Sequence, residues 1–449
     1  MIASRYMVKT HLSRNFCRLC LRSSLILFIS ILMASSSNAD NPANETSVLS
    51  LSKLRLSGYG TISTTFDDRT DMAPMRDFSQ RPDHPFRNDI TWELDSRLGL
   101  QADYRFSDKM EFVIQGALRD QVVLDAYSSL ESCFIGLRPY PWLDVRFGRL
   151  GYDVFLMSDT RNIGYSYLWV RPPTEFYGFL PIFSVDGVDA AYTIDKGSVQ
   201  WKIKAQAGSS RNVGFPMGDD AIYNFETKST YNLAITRQSG PWRLKAGYSR
   251  WIPKNEATPF KPLHEGLDAV AAATSSILPD ISAEARDLRE NLTFKDIRVS
   301  YTTLGAAYDD LTWVLQAEIS LATSTADALP LGYMGYLGIG RRFGDFTPYT
   351  LFSIAFPEND IRGATSDWNP IGQEAFHQQA LHILNSTRLE QKSCALGIRW
   401  DFSNQAAFKL QWDNIHLDTY GYGMWWRQFE TLKSPSTINL ATFSMEFVF

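Results

Sequence analysis

Few side chains in this sequence are suited to acid–base or nucleophilic catalysis. Beyond residue 39 the chain has five histidines, all expected in loops: His84, His264, His377, His382 and His416. His377 and His382 are five positions apart, whereas two zinc ligands on one helix face are four apart. No Gly-x-Ser-x-Gly segment surrounds a serine, as the strained turn of a hydrolase nucleophile requires. We therefore predict a protein that is not an enzyme and has no cofactor or metal site.

A connection of unusual composition spans about 150–184. Its charged residues have both signs, and those of interest are Asp153, Asp159, Arg161, Arg171 and Glu175. Aromatic residues lie between them, most densely in Tyr165–Trp169. A loop in water is rarely so apolar unless it packs against something. We expect this connection to be buried against another part of the molecule.

The elements that must hold this connection are β-strands, because apolar and polar residues alternate along most of the chain. In residues 92–105, apolar side chains share one parity, and the other parity includes Asp95, Arg97 and Arg105. The last strand alternates likewise, with Phe443, Met445 and Phe447 against Ser444 and Glu446. One apolar and one polar face is typical of the wall of a transmembrane barrel.

Short turns divide these strands into hairpins. They are predicted near 106–109, 138–143, 195–198, 237–241, 308–311, 341–346 and 401–405. Seven hairpins, with a first strand at about 54–66 and the final strand, indicate about 16 strands. The other connections are mostly long, and those near 265–290 and 371–388 have helical periodicity. We predict an all-β fold, a transmembrane antiparallel β-barrel with long extracellular loops and short periplasmic turns; about 14 or 18 strands, or a soluble β-sandwich, are the alternatives.

The N-terminal segment is typical of an exported protein. Basic residues precede the apolar run Leu25–Met33, and the small residues of Ser37–Ala39 follow it. This pattern predicts a signal peptide at 1–39, because the run is shorter than the roughly 20 residues of a spanning helix. A short periplasmic segment at 40–53 and a barrel at 54–449 would follow. Any membrane passage must then be made by strands.

Charge and cysteine content narrow the possible partners. Residues 1–39 hold five basic and no acidic residues, so cleavage leaves 39 of the 44 basic residues against 49 acidic ones. This balance argues against nucleic acid as a partner.

Two cysteines, Cys133 and Cys394, would remain after cleavage. Cys394 shares a parity with Leu396 and Ile398, which are predicted to face lipid, so free thiols are expected rather than a disulfide.

Four stretches together resemble the porins of Gram-negative outer membranes. They are Leu56–Gly60, Arg146–Arg149, the connection at about 150–184 and the terminal Met445–Phe449. Within the connection, Tyr165–Glu175 is similar to poorly characterised proteobacterial porins. The resemblance implies that this connection folds into the barrel, where acidic loop residues face basic wall residues. Opposed charges across a water-filled constriction orient and select solutes, and about 16 strands leave room for such a channel.

The resemblance implies roles for particular residues. Candidate acidic residues of the constriction are Asp153, Asp159 and Glu175, and candidate cations of the same loop are Arg161 and Arg171. Candidate residues of the lumen wall are Arg97, Arg105, Arg146, Lys202 and Lys204. Because the loop carries both signs, the ion preference stays open.

The function implied by the resemblance is that of a porin, a water-filled channel for passive diffusion of small hydrophilic solutes and ions. Its expected location is the outer membrane, in contact with lipid and as a homotrimer. The strand ending at Phe449 would be recognised by the barrel-assembly machinery. One alternative is a channel dedicated to a sugar or organic acid, with loop aromatics such as Tyr165, Tyr167 and Trp169 as a track, unless these rings simply pack at the mouth. An outer-membrane enzyme barrel is less favoured.

Overall fold

The computed structural model describes residues 53–80, 82, 90–211, 213–217, 221–329, 332–427 and 433–449. The predicted signal peptide and His84 lie outside the described residues. In the described part, sixteen long strands form one closed antiparallel sheet, and the short strand Ile90–Thr91 pairs with its first strand. The sixteen strands are β1 (Leu54–Asp67), β2 (Arg97–Ser107), β3 (Met110–Arg119), β4 (Leu130–Tyr140), β5 (Leu143–Gly151), β6 (Ser184–Lys196), β7 (Val199–Ser209), β8 (Thr227–Ser239), β9 (Trp242–Pro253), β10 (Val299–Asp309), β11 (Trp313–Ser324), β12 (Gly332–Arg341), β13 (Phe346–Pro357), β14 (Leu389–Ser403), β15 (Ala406–Tyr422) and β16 (Ser436–Val448).

The barrel closes between its first and last strands. β1 pairs with β16 from Tyr59 opposite Val448 to Asp67 opposite Leu440. The backbones of Gly58 and Phe449 exchange hydrogen bonds of 2.9 and 3.0 Å. Closure leaves no row of unpaired backbone groups, which a membrane-spanning sheet requires. The prediction of a sixteen-stranded antiparallel barrel is confirmed.

Short turns join the strands at one end, which we call the turn end. They lie at 108–109, 141–142, 197–198, 240–241, 310–312, 342–345 and 404–405, in agreement with the seven predicted turns. Gly197 and Gly240 have φ angles of 59° and 53°, the left-handed conformation that tight hairpin turns need and glycine adopts without strain. The opposite end, with mostly long connections, is the loop end.

Three helices occupy the loop end, where helical periodicity was predicted. They are α1 (Lys261–Thr274), α2 (Pro279–Asn291) and α3 (Glu374–Asn385). Their apolar faces form a separate core that includes Leu267, Ala285, Leu288 and Leu384. Among the described residues, no helix is both long and apolar enough to cross a membrane. Two short strand pairs, Met72–Pro74 with Trp425–Arg427 and Val213–Pro216 with Ile222–Phe225, also lie among the long connections.

A buried carboxylate links these helices to the loop before α3. Glu284 of α2 accepts hydrogen bonds from the backbone N–H of Thr365 (2.6 Å) and Ser366 (2.8 Å) and from Trp368 Nε1 (3.1 Å). His377 Nε2 lies 3.0 Å from the same carboxylate, and its ring stacks on Trp368 with centroids 4.4 Å apart. Burial raises the pKa of Glu284, but these hydrogen bonds outweigh burial and lower it to about 2.

One histidine differs from its predicted place. His416 was expected in a loop, but β15 continues through it to Tyr422. Near His416 the apolar residues Ile415 and Leu417 point inward and are buried. The usual orientation of apolar and polar residues is therefore reversed at this end of the strand, which is why the sequence pattern predicts an earlier strand end.

The outer surface is apolar. On β14, Leu396, Ile398 and Trp400 are exposed, and on β16 Phe443 is 45% exposed whereas Glu446, inside the barrel, is 0% exposed. Exposed tryptophans lie beside four of the turns: Trp142, Trp242, Trp313 and Trp400. An apolar band edged by aromatic residues is the lipid-facing surface of a membrane barrel.

Cys133 and Cys394 lie on β4 and β14, which are not neighbours, and both are free, as predicted.

Candidate functional site

The long connection between β5 and β6 lies inside the barrel. Residues 152–183, which we call the inner loop, include a 3₁₀ turn at Gly164–Ser166 and a π-helical turn at Thr174–Gly178. Its apolar side chains are almost completely buried, among them Val154, Phe155, Trp169, Val170, Phe176 and Ile182. The lumen wall is therefore the surface that covers this aromatic-rich segment.

The first anchor of the inner loop is Asp153. Its carboxylate forms salt bridges with Lys204 of β7 (2.8 Å) and Lys245 of β9. Burial alone would raise the pKa of Asp153, but the two lysines outweigh burial and hold the pKa well below its usual range. This pairing keeps the carboxylate charged and ties the start of the loop to two wall strands.

A second anchor forms on β11 and β12. Glu318 Oε2 accepts a hydrogen bond of 2.8 Å from the backbone N–H of Leu156. The hydroxyls of Tyr177, from the other end of the loop, and of Tyr336, from the wall, both donate to Glu318 Oε1. One buried carboxylate thus holds both ends of the inner loop against the wall.

A third anchor holds the innermost bend of the loop through its carbonyl groups. Lys409 Nζ donates to the carbonyls of Gly164 (2.8 Å), Tyr167 (2.9 Å) and Trp169 (2.7 Å). Arg399 Nη1 also donates to the Tyr167 carbonyl, at 2.9 Å. Charged donors form hydrogen bonds about twice as strong as neutral ones, so these two wall cations grip the bend firmly.

Arg171 forms the fourth anchor. Its guanidinium lies 2.7 Å from Asp95 and 3.3 Å from Asp413 of β15. It also donates to the hydroxyl of Thr442 of β16 at 2.6 Å. Arg171 is 5% exposed. This predicted cation of the constriction therefore binds the loop to the wall instead of facing a water-filled passage.

Close packing adds to these polar anchors. The Trp169 ring lies against Gly338 of β12, where an added Cβ would come within 2.1 Å of the ring. Leu168 packs on Gly340 of the same strand in the same way. Trp169 is 1% exposed and Tyr167 is buried. The two rings are thus part of a packed core inside the barrel and neither form an open track nor pack at the loop-end mouth.

Two further predicted site residues are buried against the inner loop. Arg97 of β2 donates to the carbonyl of Asn162 (2.6 Å) and to the hydroxyl of Tyr167 (2.6 Å). Glu175 is 2% exposed, and its Oε1 has no hydrogen-bond partner in the described part of the chain. Neither side chain is placed to line an open passage.

Two water-accessible charges lie on the side of the barrel formed by β5–β7. Asp159 of the inner loop is exposed. Arg146 of β5 forms a two-pronged pair with Asp189 of β6 at 2.9 and 2.5 Å, and its side chain keeps 29% of its exposure. Asp159 and Asp153 both lie near enough to interact with the charge of Arg146. An exposed acid of the loop and a partly exposed base of the wall therefore lie on this side of the barrel.

The other two predicted wall residues lie apart from the inner loop. Arg105 and Lys202 are exposed and sit near the turn end of β2 and β7. A cavity of about 580 Å³ opens at the same end, between the inner-loop bend and β8–β14, and Tyr165, Gln238, Arg243 and Arg399 are among its lining residues. This cavity is a vestibule on the turn side of the inner loop.

Sequence reasoning did not single out five residues that hold the inner loop: Lys245, Glu318, Arg399, Lys409 and Asp413. Each lies on the polar face of an alternating strand, so the sequence carried the signal that they face the lumen. It carried no signal that the inner loop reaches β9–β16. Within the described ranges, no group of three or more histidine, cysteine, aspartate or glutamate side chains has the arrangement of a metal site.

The fold and the inner loop define the class of protein. A closed barrel of sixteen antiparallel strands, with an apolar outer face and short turns at one end, is built for an outer membrane. The protein is therefore an outer-membrane β-barrel of Gram-negative type with the porin architecture. Its apolar band is the surface that contacts lipid.

Comparison with solved structures finds similar outer-membrane barrels. OmpF of Salmonella typhi, in complex with daunomycin, is 12% identical over 88% of this chain and 97% of its own, with a TM-score of 0.48. OmpT of Vibrio cholerae is 11% identical over 90% and 100% of the two chains, with a TM-score of 0.47. The anion-selective porin of Comamonas acidovorans is 11% identical over 88% and 99%, with a TM-score of 0.46. No protein-family model and no curated protein matches the chain.

Proposed function

We propose that the protein is a porin, a channel for passive diffusion of small hydrophilic solutes and ions, whose constriction lies between Asp159 of the inner loop and Arg146 of β5. The observation that carries this proposal is the asymmetric placement of the loop. The wall anchors Lys245, Glu318 and Lys409 lie on β9–β15 and Lys204 lies on β7, whereas the wall base that keeps contact with water, Arg146, lies on β5. The passage runs along β5–β7.

Opposite charges on the two sides of this passage would set a field across it. Such a field orients dipolar solutes. It disfavours the passage of apolar solutes, because these cannot replace the water that hydrates the charges on the two sides. Asp159 is exposed and Arg146 is partly exposed, whereas Asp153 is neutralised by its two lysines. The first pair is therefore the one that acts on passing ions.

A channel dedicated to a sugar or an aromatic acid is the alternative. Such a channel needs ring faces exposed along the passage so that solutes can stack on them. Tyr167, Trp169 and Trp425 are buried, whereas Tyr165, Tyr420 and Trp426 keep partial exposure. Burial of these rings favours general diffusion over a dedicated track.

Three further features belong to the same proposal, the first supported by the sequence pattern and the other two by the resemblance to porins. Residues 1–39 act as a signal peptide that is removed on export. The strand ending at Phe449 is recognised during barrel assembly. The barrels associate as homotrimers, with part of the apolar band covered by the neighbouring copies.

Planar-bilayer recording tests the channel function. We expect purified wild-type protein to form open, ohmic channels and Asp159→Asn and Arg146→Gln to shift the reversal potential in a salt gradient in opposite directions. Arg105→Gln, at an exposed wall position away from the inner loop, is the matched control and should shift it little.

The outcomes separate the alternatives. Wild-type protein that inserts but carries no current contradicts a channel of any kind. Closure by one class of sugar or organic acid, with other solutes inactive, supports the dedicated channel. Equal reversal potentials for wild type, Asp159→Asn and Arg146→Gln would remove these two residues from the constriction.

A further inference from the structure

Asp189 of β6 is a buried carboxylate on the lumen face of the wall, since its neighbours Val188 and Ala190 are exposed on the outer face. It lies directly opposite Arg146 in the pairing of β5 with β6. Arg146 Nε donates to Asp189 Oδ1 at 2.9 Å, and Arg146 Nη2 donates to Asp189 Oδ2 at 2.5 Å. The Asp189 side chain is 1% exposed and that of Arg146 is 29% exposed. The acid of this pair is therefore enclosed, whereas the base keeps contact with water.

Asp189 belongs to a row of five alternating charges that begins at the inner loop, which we call the charge row. Lys245 and Lys204 both pair with Asp153 of the loop, and Lys204 Nζ also lies 3.5 Å from Asp189 Oδ2. Asp189 in turn pairs with Arg146. Each of the two carboxylates has a cation on either side, which offsets the cost of burying it. The first four side chains are at most 9% exposed, so Arg146 is the end of the charge row that meets water.

The guanidinium of Arg146 is held in direction as well as in position. Two parallel hydrogen bonds to one carboxylate fix the plane of a guanidinium group. The ring of Phe134 on β4 adds a third contact, with its centroid 5.0 Å from Arg146 Cζ. Asp153 and Asp159 also act on the charge of Arg146, but among the described residues neither forms an ion pair with it. Asp189 is therefore the carboxylate that determines where this positive charge lies.

We propose that Asp189 is a positioning residue of the constriction, which holds Arg146 at the edge of the passage and thereby sets the charge that passing ions meet. This inference rests on the proposed channel function and adds to it a residue that does not itself line the passage. An arginine side chain without a partner samples many rotamers, so its charge would be spread over the lumen. Because Asp189 is enclosed, its effect on ions is exerted through Arg146.

Chemical modification of Arg146 tests the positioning without any current. Folded protein in detergent is treated with phenylglyoxal, which reacts with accessible guanidinium groups, and modification of the Arg146 peptide is followed by mass spectrometry. We expect Asp189→Asn to raise the modification rate about tenfold, the factor that corresponds to about one lost charge-assisted hydrogen bond. Asp189→Glu, which keeps the carboxylate, should raise it less.

Two controls accompany this measurement. Asp195→Asn removes an exposed carboxylate on the same face of β6, near the turn end, and should leave the rate at Arg146 unchanged. Arg97, buried elsewhere in the wall, reports in the same samples whether the barrel has loosened. An equal rise at Arg97 in Asp189→Asn would overturn the positioning role, because the effect would then not be specific to Arg146.

Reversal potentials in a salt gradient test the effect on ions. Asp189→Asn should shift the reversal potential toward anions, and Arg146→Gln should shift it toward cations. If Asp189 acts by holding Arg146, the double variant should keep the reversal potential of Arg146→Gln alone, because no arginine remains to be positioned. Two independent charges would instead cancel, and a double variant with the wild-type reversal potential would overturn the positioning role.

Failure of this inference can be told from failure of the channel function. An unchanged modification rate of Arg146 in Asp189→Asn overturns the positioning role whether or not the protein conducts. Absence of current in wild type refutes the channel, while the modification rates still report on Asp189. Open channels in which Arg146→Gln has the wild-type reversal potential would remove Arg146, and Asp189 with it, from the constriction.

Discussion

Replacement of Lys409 by methionine should release the innermost bend of the inner loop. Lys409 is 1% exposed and uses its three N–H groups on the carbonyls of Gly164, Tyr167 and Trp169. Methionine has a similar length but no charge, so the substitution removes these hydrogen bonds without opening a large cavity. It also leaves Glu446, 3.5 Å from Nζ and 0% exposed, without its cation.

The free-energy cost of the substitution follows from the buried charge of Glu446. Removing one partner of a buried ion pair costs about 3–5 kcal/mol, because the other charge stays desolvated. If the cost falls on attachment of the loop, the ratio of attached to released loop drops by roughly two to four orders of magnitude. A released loop no longer holds Asp159 near Arg146, so we expect a larger and noisier single-channel conductance.

Single-channel recording in planar bilayers measures this effect. Lys202→Met removes an exposed wall lysine and is the control, with conductance and noise expected to match wild type. The double variant Lys409→Met with Glu446→Gln should recover part of the quiet conductance, because the unpaired carboxylate is no longer charged. A Lys409→Met channel with wild-type conductance and noise would refute the idea that this lysine positions the inner loop.

Three other predictions concern separate parts of the molecule. Gly338→Ala should displace the Trp169 ring and cost about 1–3 kcal/mol, seen as a lower unfolding midpoint in detergent, whereas Gly363→Ala, in open space, should not. In the folded protein the pKa of Glu284 is lowered to about 2. Its stabilisation of the helical loops is therefore complete above its ordinary pKa of about 4.3 and is lost as the pH falls toward 2. Limited proteolysis should show the helical loops becoming sensitive in that window, and Glu284→Gln should make them sensitive at neutral pH; equal cleavage of both proteins at pH 7 would contradict this. Cys133 and Cys394 should both react with a maleimide in denaturant without reductant, and a thiol count of zero would show the disulfide that the structure excludes.

Much of the fold could be predicted because its signals are local. Alternation along a strand depends only on neighbouring residues, and so do the turn residues between Ser107 and Met110 or around Gly240. The parity of the final strand is enough to place Phe443 outward and Glu446 inward, and the exposure of the two side chains agrees. Prediction was wrong at His416, where the apolar residues of β15 turn inward because loops cover that end of the lumen.

The candidate site was less predictable, because its contacts join residues far apart in the chain. The composition of the inner loop indicated burial but not against which strands. Arg171 resembled a pore cation in sequence, yet Asp95, Asp413 and Thr442 enclose it. Lys409 carried no distinguishing signal beyond facing the lumen, although it binds three carbonyls some 240 positions away.

The amino-acid pattern alone was enough to predict a barrel of about 16 strands, its lipid-facing parity, its short turns and a connection that must be buried. These properties follow from periodicity and composition, which short segments carry alone. The packing of the folded chain is needed to tell which charges are anchors, such as Asp153 and Arg171, and which keep contact with water, such as Asp159 and Arg146. That division depends on where the inner loop packs, and packing of a loop against a distant wall is a property of the closed barrel as a whole.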